Sequence, residues 1–323
     1  MTVTSRISIV AIITTICLVS ACDSGLIVSD AIAASPDACG SGGPLVNPNG
    51  ELYRPYQERT IVTAAGAERK WLIRLPSGYQ DGDRADVVFN FHGATLNAEN
   101  AFAYANFDAL ADRDGIILVA PDANKVYVDQ SHELADYWNH AWEAKFRTRD
   151  YDIDFVLELV EKVKSEYCTG EYYAAGMSAG GDITTALQCS DNSPFQAFAP
   201  VTYRYYLEDE CKNAPSYPMI SFHGSEDRVV PLSGLDAPWF DPPMDEIMQS
   251  WALKNGCDAQ SIEERVSSEV LRYHWNNCDA PVEWYLIEGG GHTWPGAVPT
   301  ERLGHTTEEI SASELIWEFF FKN

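Results

Sequence analysis

Ser178 is the residue whose surroundings in the sequence most favour covalent chemistry. It lies at the centre of residues 176–180, Gly-Met-Ser-Ala-Gly, which follow an apolar stretch and precede a predicted helix. In this G-x-S-x-G pattern a serine sits on a tight strand-to-helix turn with its hydroxyl exposed, where it can attack a carbonyl carbon. Glycines are needed because the strand and helix backbones approach closely at such a turn. The pattern alone also fits an ordinary glycine turn before a helix, so the chemistry depends on partners elsewhere in the chain.

Asp227 and His292 are the partners that a nucleophilic serine requires. Asp227 follows the predicted strand 219–222, and His292 follows the predicted strand 283–287. In a parallel sheet, groups at the carboxyl ends of the strands meet at one edge. There the histidine can accept the serine proton while the aspartate orients the imidazole, and an acyl-enzyme can form. The chain order serine, acid, histidine also agrees, so the three residues are predicted to be a catalytic triad.

Two neighbours of Asp227 offer alternative assignments. Glu226 could supply the carboxylate, although we favour Asp227 because its side chain is shorter. His223 also ends a strand, but it precedes the aspartate in the same loop and is predicted to bond backbone groups. The glycines at 289–291 could form a phosphate-binding nest, but no lysine or helix-starting Ser or Thr follows them. Asp227 and His292 therefore remain the preferred pair.

A negative charge developing on a substrate oxygen would need two backbone donors beside the serine. The N–H of Ala179, the residue after the serine, is one candidate. The second is predicted in the turn that follows His92-Gly93, where the N–H of Ala94 is best placed. The alternative there is a plain tight turn at the end of a strand.

Alternating strands and helices are predicted to hold these residues in place. An antiparallel hairpin at 60–74 is expected at the sheet edge, and residues 151–167 have the apolar face of a helix packed on a sheet. Ser311 opens a capping box before the closing helix. The pattern predicts an α/β fold, a mostly parallel central sheet with helices on both faces. Strands are predicted at 60–63, 70–74, 87–91, 116–120, 172–175, 219–222 and 283–287, and one helical stretch at 102–110.

The N-terminal residues have the pattern of an export signal. An arginine precedes an apolar run at 7–19, and Cys22 follows in a sequence typical of lipoprotein signal-peptidase sites. An ordinary secretory signal is the main alternative, and the run is shorter than the ~20 residues of a membrane-spanning helix. Both alternatives place the protein in the cell envelope or outside the cell. We predict a signal peptide of the lipoprotein type at 1–21, a tether at 22–48 and a catalytic domain at 49–323.

Charge and cysteine content narrow the possible partners. The 48 acidic and 22 basic residues give a net charge of -26, which opposes binding to nucleic acid. Six of the eight cysteines lie beyond residue 22, and an even set in an exported protein favours disulfides. None of them has C-x-x-C spacing, so neither a metal nor another cofactor is predicted. Contact with a membrane is expected only through a lipid anchor, and the oligomeric state is left open.

Several stretches along the chain together match the pattern of one family. They are His92-Gly93-Ala94-Thr95, 110–115, Trp138-Asn139, 176–181, 223–231, Trp251 with 255–257, and 290–296. On these stretches the sequence resembles the feruloyl esterase and polyhydroxybutyrate-depolymerase-like branch of the α/β-hydrolases, over roughly residues 39–320.

The resemblance implies roles for particular residues. Ser178, Asp227 and His292 match the triad of the family. Ala179 stands where many relatives have Asn, and Ala94 where many have Cys, but neither change removes a backbone N–H. The resemblance also implies three disulfides, namely Cys39 with Cys168, Cys189 with Cys211, and Cys257 with Cys278.

The resemblance further implies a serine carboxylic-ester hydrolase that acts on aromatic-acid esters of polysaccharide. Polyhydroxyalkanoate or other polyester oligomers and acetyl-xylan are alternative substrates. A catalytically inactive binding protein is a remote alternative, and the intact triad residues argue against it.

The long segment 123–149 is the predicted source of an acyl-binding slot. Loops of that length within a domain are usually functional, and this one contains Tyr137, Trp138 and Trp142. An aromatic acyl group needs a flat apolar slot beside the serine, and we predict that Trp138 and Trp294 line it. The alternative is that these rings fill the core beneath the loop.

Overall fold

A ten-stranded sheet dominates the part of the chain that the structure describes. The computed structural model describes residues 56–127, 134–136, 138, 152–190, 192–203, 211, 214–234 and 242–322. The predicted signal peptide at 1–21, the tether at 22–48 and most of the segment 123–149 lie outside these ranges.

Twelve strands and six helices make up the described fold. The strands are β1 (Gln57–Val62), β2 (Glu68–Arg74), β3 (Ala85–Phe91), β4 (Ile117–Pro121), β5 (Lys125–Tyr127), β6 (Leu134–Asp136), β7 (Thr169–Met177), β8 (Phe195–Val201), β9 (Met219–Gly224), β10 (Ser261–Arg265), β11 (Val270–Trp275) and β12 (Val282–Ile287). The helices are α1 (Ala98–Ala105), α2 (Asp108–Asp114), α3 (Asp152–Glu166), α4 (Ala179–Gln188), α5 (Met244–Lys254) and α6 (Ala312–Lys322), with one 3-10 turn at Glu301–Leu303.

The strand order of the large sheet is β1-β2-β4-β3-β7-β8-β9-β12-β11-β10. Its six central strands, from β4 to β12, are parallel. The outer strands at each edge are antiparallel to their neighbours. Parallel neighbours need crossover connections, and helices supply several of them. The predicted α/β-hydrolase fold class is confirmed, and so is the predicted hairpin at the edge, β1–β2.

Helices cover both faces of the sheet, as predicted. α1, α2 and α6 bury apolar side chains against one face, whereas α3 and α4 pack on the other. The apolar face predicted for α3 is buried through Phe155, Val156, Leu159, Val160 and Val163. α5 packs against Trp284 and Val282 of β12 in a third apolar cluster.

Two local features differ from the sequence prediction. The helical stretch expected at 102–110 is two helices, because Asn106 adopts a left-handed conformation (φ 47°) and ends α1. The sequence also does not predict the strands β5, β6, β8, β10 and β11. β10 is exposed at every position, so no buried face marks it in the sequence.

Two of the three predicted disulfides are present among the described residues. Cys189 is bonded to Cys211, and Cys257 is bonded to Cys278. Cys168 is also disulfide-bonded, and its predicted partner, Cys39, lies outside the described residues. Within the described ranges, no helix combines the length and apolarity that a membrane span requires.

Candidate active site

Ser178 occupies the turn between β7 and α4. Its backbone has φ 56° and ψ −124°, a left-handed region that is costly for a residue with a side chain. The Ser178 N–H donates to Val201 O at 2.9 Å, and the Ser178 carbonyl accepts from Gly181 N at 2.7 Å. These bonds tie the serine to β8 on one side and to the first turn of α4 on the other. The sharp turn predicted from the sequence is therefore confirmed.

The glycines that flank Ser178 are required by crowding. A β-carbon on Gly176 would lie 2.2 Å from Gly180 O, and one on Gly180 would lie 2.0 Å from Phe91 O. Both distances are far below van der Waals contact and both involve backbone atoms, which cannot yield easily. Any larger residue would push α4 away from β7 or β3.

Asp227 and His292 are joined directly. Asp227 Oδ2 accepts a hydrogen bond from His292 Nδ1 at 2.7 Å. The other carboxylate oxygen, Oδ1, accepts from the N–H groups of Val229 and Val230, each at 2.8 Å. Because the Nδ1–H of the neutral ring donates its hydrogen bond to the carboxylate, Nε2 is the ring nitrogen that can accept a proton.

The environment of Asp227 keeps it ionised. Burial raises the pKa of the carboxyl group, but the hydrogen bond from His292 lowers it, as does the positive charge that His292 carries when it is protonated. The Val230 N–H and the charge of His223, when that ring is protonated, lower the pKa further. The net effect is a pKa below the ordinary value of 3.8.

Close backbone contacts hold the loop that carries His292. The His292 N–H donates to Leu303 O at 2.7 Å. A β-carbon on Gly291 would lie 2.2 Å from that same oxygen, and one on Gly224 would lie 2.3 Å from Gly290 O. The glycines before His292 therefore let its loop pass between the end of β9 and the 3-10 turn.

The alternatives weighed for Asp227 occupy other positions. Glu226 is exposed, whereas Asp227 is 4 % exposed and contacts His292. His223 is buried, and its Nε2 donates to Val230 O at 2.8 Å, which agrees with the backbone role predicted for it. It also lies 3.9 Å from Asp227 Oδ2.

Both candidate oxyanion donors lie in segments next to Ser178. Ala179 is the first residue of α4, where backbone N–H groups have no acceptor within the helix. A β-carbon on Gly93 would lie 3.5 Å from Ser178 Cβ, so the turn that contains Ala94 runs alongside the serine. Leu96 N closes this turn on Gly93 O at 3.2 Å.

His92 anchors that turn, a role that the sequence reasoning missed. Its Nδ1–H donates to Gly93 O at 2.7 Å, while Nε2 accepts from Ala123 N at 2.9 Å. The ring is therefore neutral, with its proton on Nδ1. The carbonyl of His92 accepts from Trp138 Nε1 at 2.8 Å. The sequence signal for this role is that His92 directly follows a predicted strand and directly precedes a glycine.

Trp138 and Trp294 were predicted to line a substrate slot, but the structure buries both. Trp138 is 1 % exposed and packs edge-to-face on Phe91, with ring centroids 5.4 Å apart. Trp294 is 2 % exposed, packs on Phe107, and donates from Nε1 to Ser313 Oγ at 3.0 Å. These positions correct the expectation of a lining role and favour the core alternative. Tyr137 and Trp142 lie outside the described residues.

Comparison with known proteins gives a family for this fold and site. Residues 63–295 match the profile of the Esterase family, described as "Putative esterase". Feruloyl esterase B of Piromyces equi is 26% identical over 69% of this chain, which spans only 42% of that relative's length. Feruloyl esterase C of Emericella nidulans is 23% identical and covers 78% of this chain and 83% of its own.

Solved structures agree on the fold. The acetyl xylan esterase from Aspergillus awamori is similar with a TM-score of 0.54 at 14% identity, over 76% of this chain and 96% of its own. An S-formylglutathione hydrolase from Agrobacterium tumefaciens gives 0.51 at 10% identity, over 75% and 91%. The chain therefore belongs to the esterase family of carboxylic ester hydrolases and has the α/β-hydrolase fold.

Proposed function

We propose that this protein is an exported serine esterase that cleaves aromatic-acid esters of polysaccharide through an acyl-enzyme on Ser178. The observation that carries the proposal is the hydrogen bond between Asp227 and His292. This hydrogen bond lies at the carboxyl ends of the central strands, the same end at which β7 leads into the Ser178 turn. The positions coincide because β7, β9 and β12 are parallel members of one sheet.

The triad divides the reaction into two steps. His292 Nε2 takes the proton of the Ser178 hydroxyl as the serine oxygen attacks the ester carbonyl carbon. The resulting imidazolium is stabilised by Asp227, and it then protonates the departing alcohol oxygen. In the second step His292 deprotonates a water molecule as its oxygen attacks the carbonyl carbon of the acyl-enzyme. The imidazolium then returns the proton to Ser178 Oγ as the bond to the acyl group breaks and the carboxylic acid leaves.

Backbone donors stabilise the tetrahedral intermediate in each step. The N–H groups of Ala179 and Ala94 are the proposed pair. His92 acts behind them as a positioning residue, because its ring joins Gly93 O to the Ala123 N–H. These two hydrogen bonds fix the turn that contains Gly93 and Ala94 before the substrate binds.

The names of the relatives support the substrate class, since those at 26% and 23% identity are feruloyl esterases. The disulfides within the described residues support export, because such bonds form in oxidising compartments.

We further propose that Cys22 carries the lipid anchor predicted from the sequence.

Ser178→Ala tests the nucleophile. We expect kcat on methyl ferulate to fall by ~10⁴ to 10⁶, the scale found when a triad nucleophile is removed. Ser165→Ala is the matched control, because that exposed serine lies far along α3 and bonds only to Lys162 O in the described structure. Retained hydrolysis by a folded Ser178→Ala variant would refute the assignment.

A substrate panel tests the ester class. Methyl ferulate, acetylated xylan and hydroxybutyrate oligomers should be compared by kcat/KM with the same enzyme preparation. The proposal expects the highest value on the feruloyl ester. A higher value on hydroxybutyrate oligomers would move the assignment to polyester hydrolysis.

A further inference from the structure

The loop that carries Asp227 is held from inside the protein by a second histidine. The loop leaves β9 after Gly224, and its outer side is open to solvent, with Arg228 exposed and Val229 56 % exposed. Packing on that side therefore does not fix the path of the loop. The carboxylate depends on this path, because Asp227 Oδ1 accepts from the N–H groups of Val229 and Val230.

His223 supplies the inner attachment. It is the last residue but one of β9, it is 0 % exposed, and its Nε2 lies 2.8 Å from Val230 O. A carbonyl oxygen only accepts hydrogen bonds, so Nε2 carries a proton and is the donor. Val230 is therefore bound on both sides, its C=O by His223 and its N–H by Asp227 at 2.8 Å. The other oxygen of this carboxylate accepts from His292 at 2.7 Å.

The distance between His223 and the carboxylate defines how this histidine acts. Its Nε2 is 3.9 Å from Asp227 Oδ2, the oxygen that accepts from His292. This separation is too long for a hydrogen bond, so His223 does not compete with His292 for that oxygen. His223 acts on Asp227 through Val230 instead.

A buried histidine has a cost that an apolar side chain does not have. Burial of a polar ring is unfavourable, and the hydrogen bond to Val230 O offsets part of that cost. A leucine or phenylalanine would fill the core at position 223 without the cost. The alternative to a catalytic role is a core histidine whose bond to Val230 only stabilises the fold. The two differ in one respect, because only a residue that directs the carboxylate affects the hydrogen bond between Asp227 and His292.

We propose that His223 is a positioning residue of the triad. By holding the Val230 carbonyl, it fixes the N–H that directs the Asp227 carboxylate onto His292. The inference rests on the proposed triad. Asp227 stabilises the imidazolium that forms when His292 takes the serine proton, so a misdirected carboxylate should lower kcat. Substrate binding does not use this charge, so KM should not change.

Variants at position 223 separate positioning from core packing. His223→Leu and His223→Phe fill the site but remove the donor, and kcat on methyl ferulate should fall about tenfold, the equivalent of one hydrogen bond lost in the transition state. His223→Gln keeps an N–H donor at a similar distance from the backbone and should restore most of kcat. Phe222→Leu is the matched control, because this buried neighbour on β9 stacks on Tyr285 on the opposite face of the sheet. It should lower the melting temperature and leave kcat and KM unchanged.

Proton NMR measures the positioning without any substrate. The His292 Nδ1 proton, bonded to a carboxylate, should give a low-field resonance that Asp227→Asn removes. This resonance should shift or disappear in His223→Leu and His223→Phe, and it should persist in His223→Gln and Phe222→Leu. In the wild-type protein, ¹⁵N spectra of the imidazole rings should show a proton on His223 Nε2. That measurement tests the inference even if every variant at position 223 misfolds.

Three results would overturn the inference. One is a wild-type His223 without a proton on Nε2. Another is a kcat and a His292 resonance in the folded Leu or Phe variant that match those of Phe222→Leu. The third is a folded His223→Gln that is as impaired as His223→Leu. Absence of ester hydrolysis by the wild-type protein would remove the proposed function instead, and the His292 resonance would still decide whether His223 positions the pair.

Discussion

A buried carboxylate is costly to ionise, and Asp227 meets that cost with three accepted hydrogen bonds. Because its pKa in the folded protein is lowered, the carboxylate binds protons less readily than in the unfolded chain. Its contribution to stability is therefore fully present above the ordinary value of 3.8 and is lost as pH falls through the lowered pKa. The catalytic pair and the acid stability of the fold are linked through this one side chain.

Asp227→Asn tests both consequences. The amide donates where the carboxylate accepted, so His292 is expected to adopt the wrong tautomer and kcat to fall by about 10⁴. Urea unfolding should show that the stability difference between wild type and variant shrinks as pH falls from about 5 towards 2. Glu226→Gln is the matched control, because that neighbouring carboxylate is exposed. A difference that stays constant over this range would show that Asp227 ionisation does not stabilise the fold.

At the level of elements, the sequence predicts what apolar runs and their ends can reveal. The strands that become β3, β4, β7, β9 and β12 are buried runs that end in glycine, proline or polar residues, so both the sheet and the strand-end position of the triad follow from them. β8 contains Pro200, which argues against a central strand. The burial of Trp138 depends on the path of a loop. Hydrophobic periodicity predicts helices and strands but gives no information about the path of a loop, so the sequence could not predict this burial.

The Cys257–Cys278 bond closes the chain segment that contains β10 and β11. Its two cysteines are 21 residues apart, and those of Cys189–Cys211 are 22 apart. In the chain-entropy account each closed loop is worth about 3 kcal/mol, so each double Cys→Ser variant should lose a similar free energy of unfolding. Denaturant unfolding of the two variants measures this. Clearly unequal losses would show that native packing around the bonds, rather than loop closure, sets their value.

For the whole molecule, the proposed lipid anchor decides where the enzyme works. Cys22→Ala should move the protein from the membrane fraction to the soluble fraction or leave an uncleaved precursor, because the lipid-modified residue is gone. Cys17→Ala is the matched control, since Cys17 lies within the apolar run of the signal. Mass spectrometry of the wild-type N-terminus measures the modification directly. A soluble wild-type protein cleaved at another residue would favour ordinary secretion.

The exposed edge of the sheet has a consequence for crowded or concentrated solutions. An unpaired strand edge can recruit the edge of another molecule and start aggregation. Here the edge strand β10 is exposed at all five positions and carries Glu263, Glu264 and Arg265. Two such edges pairing in register would bring like charges to within about 5 Å. The charged edge therefore opposes growth of the sheet from one molecule to the next.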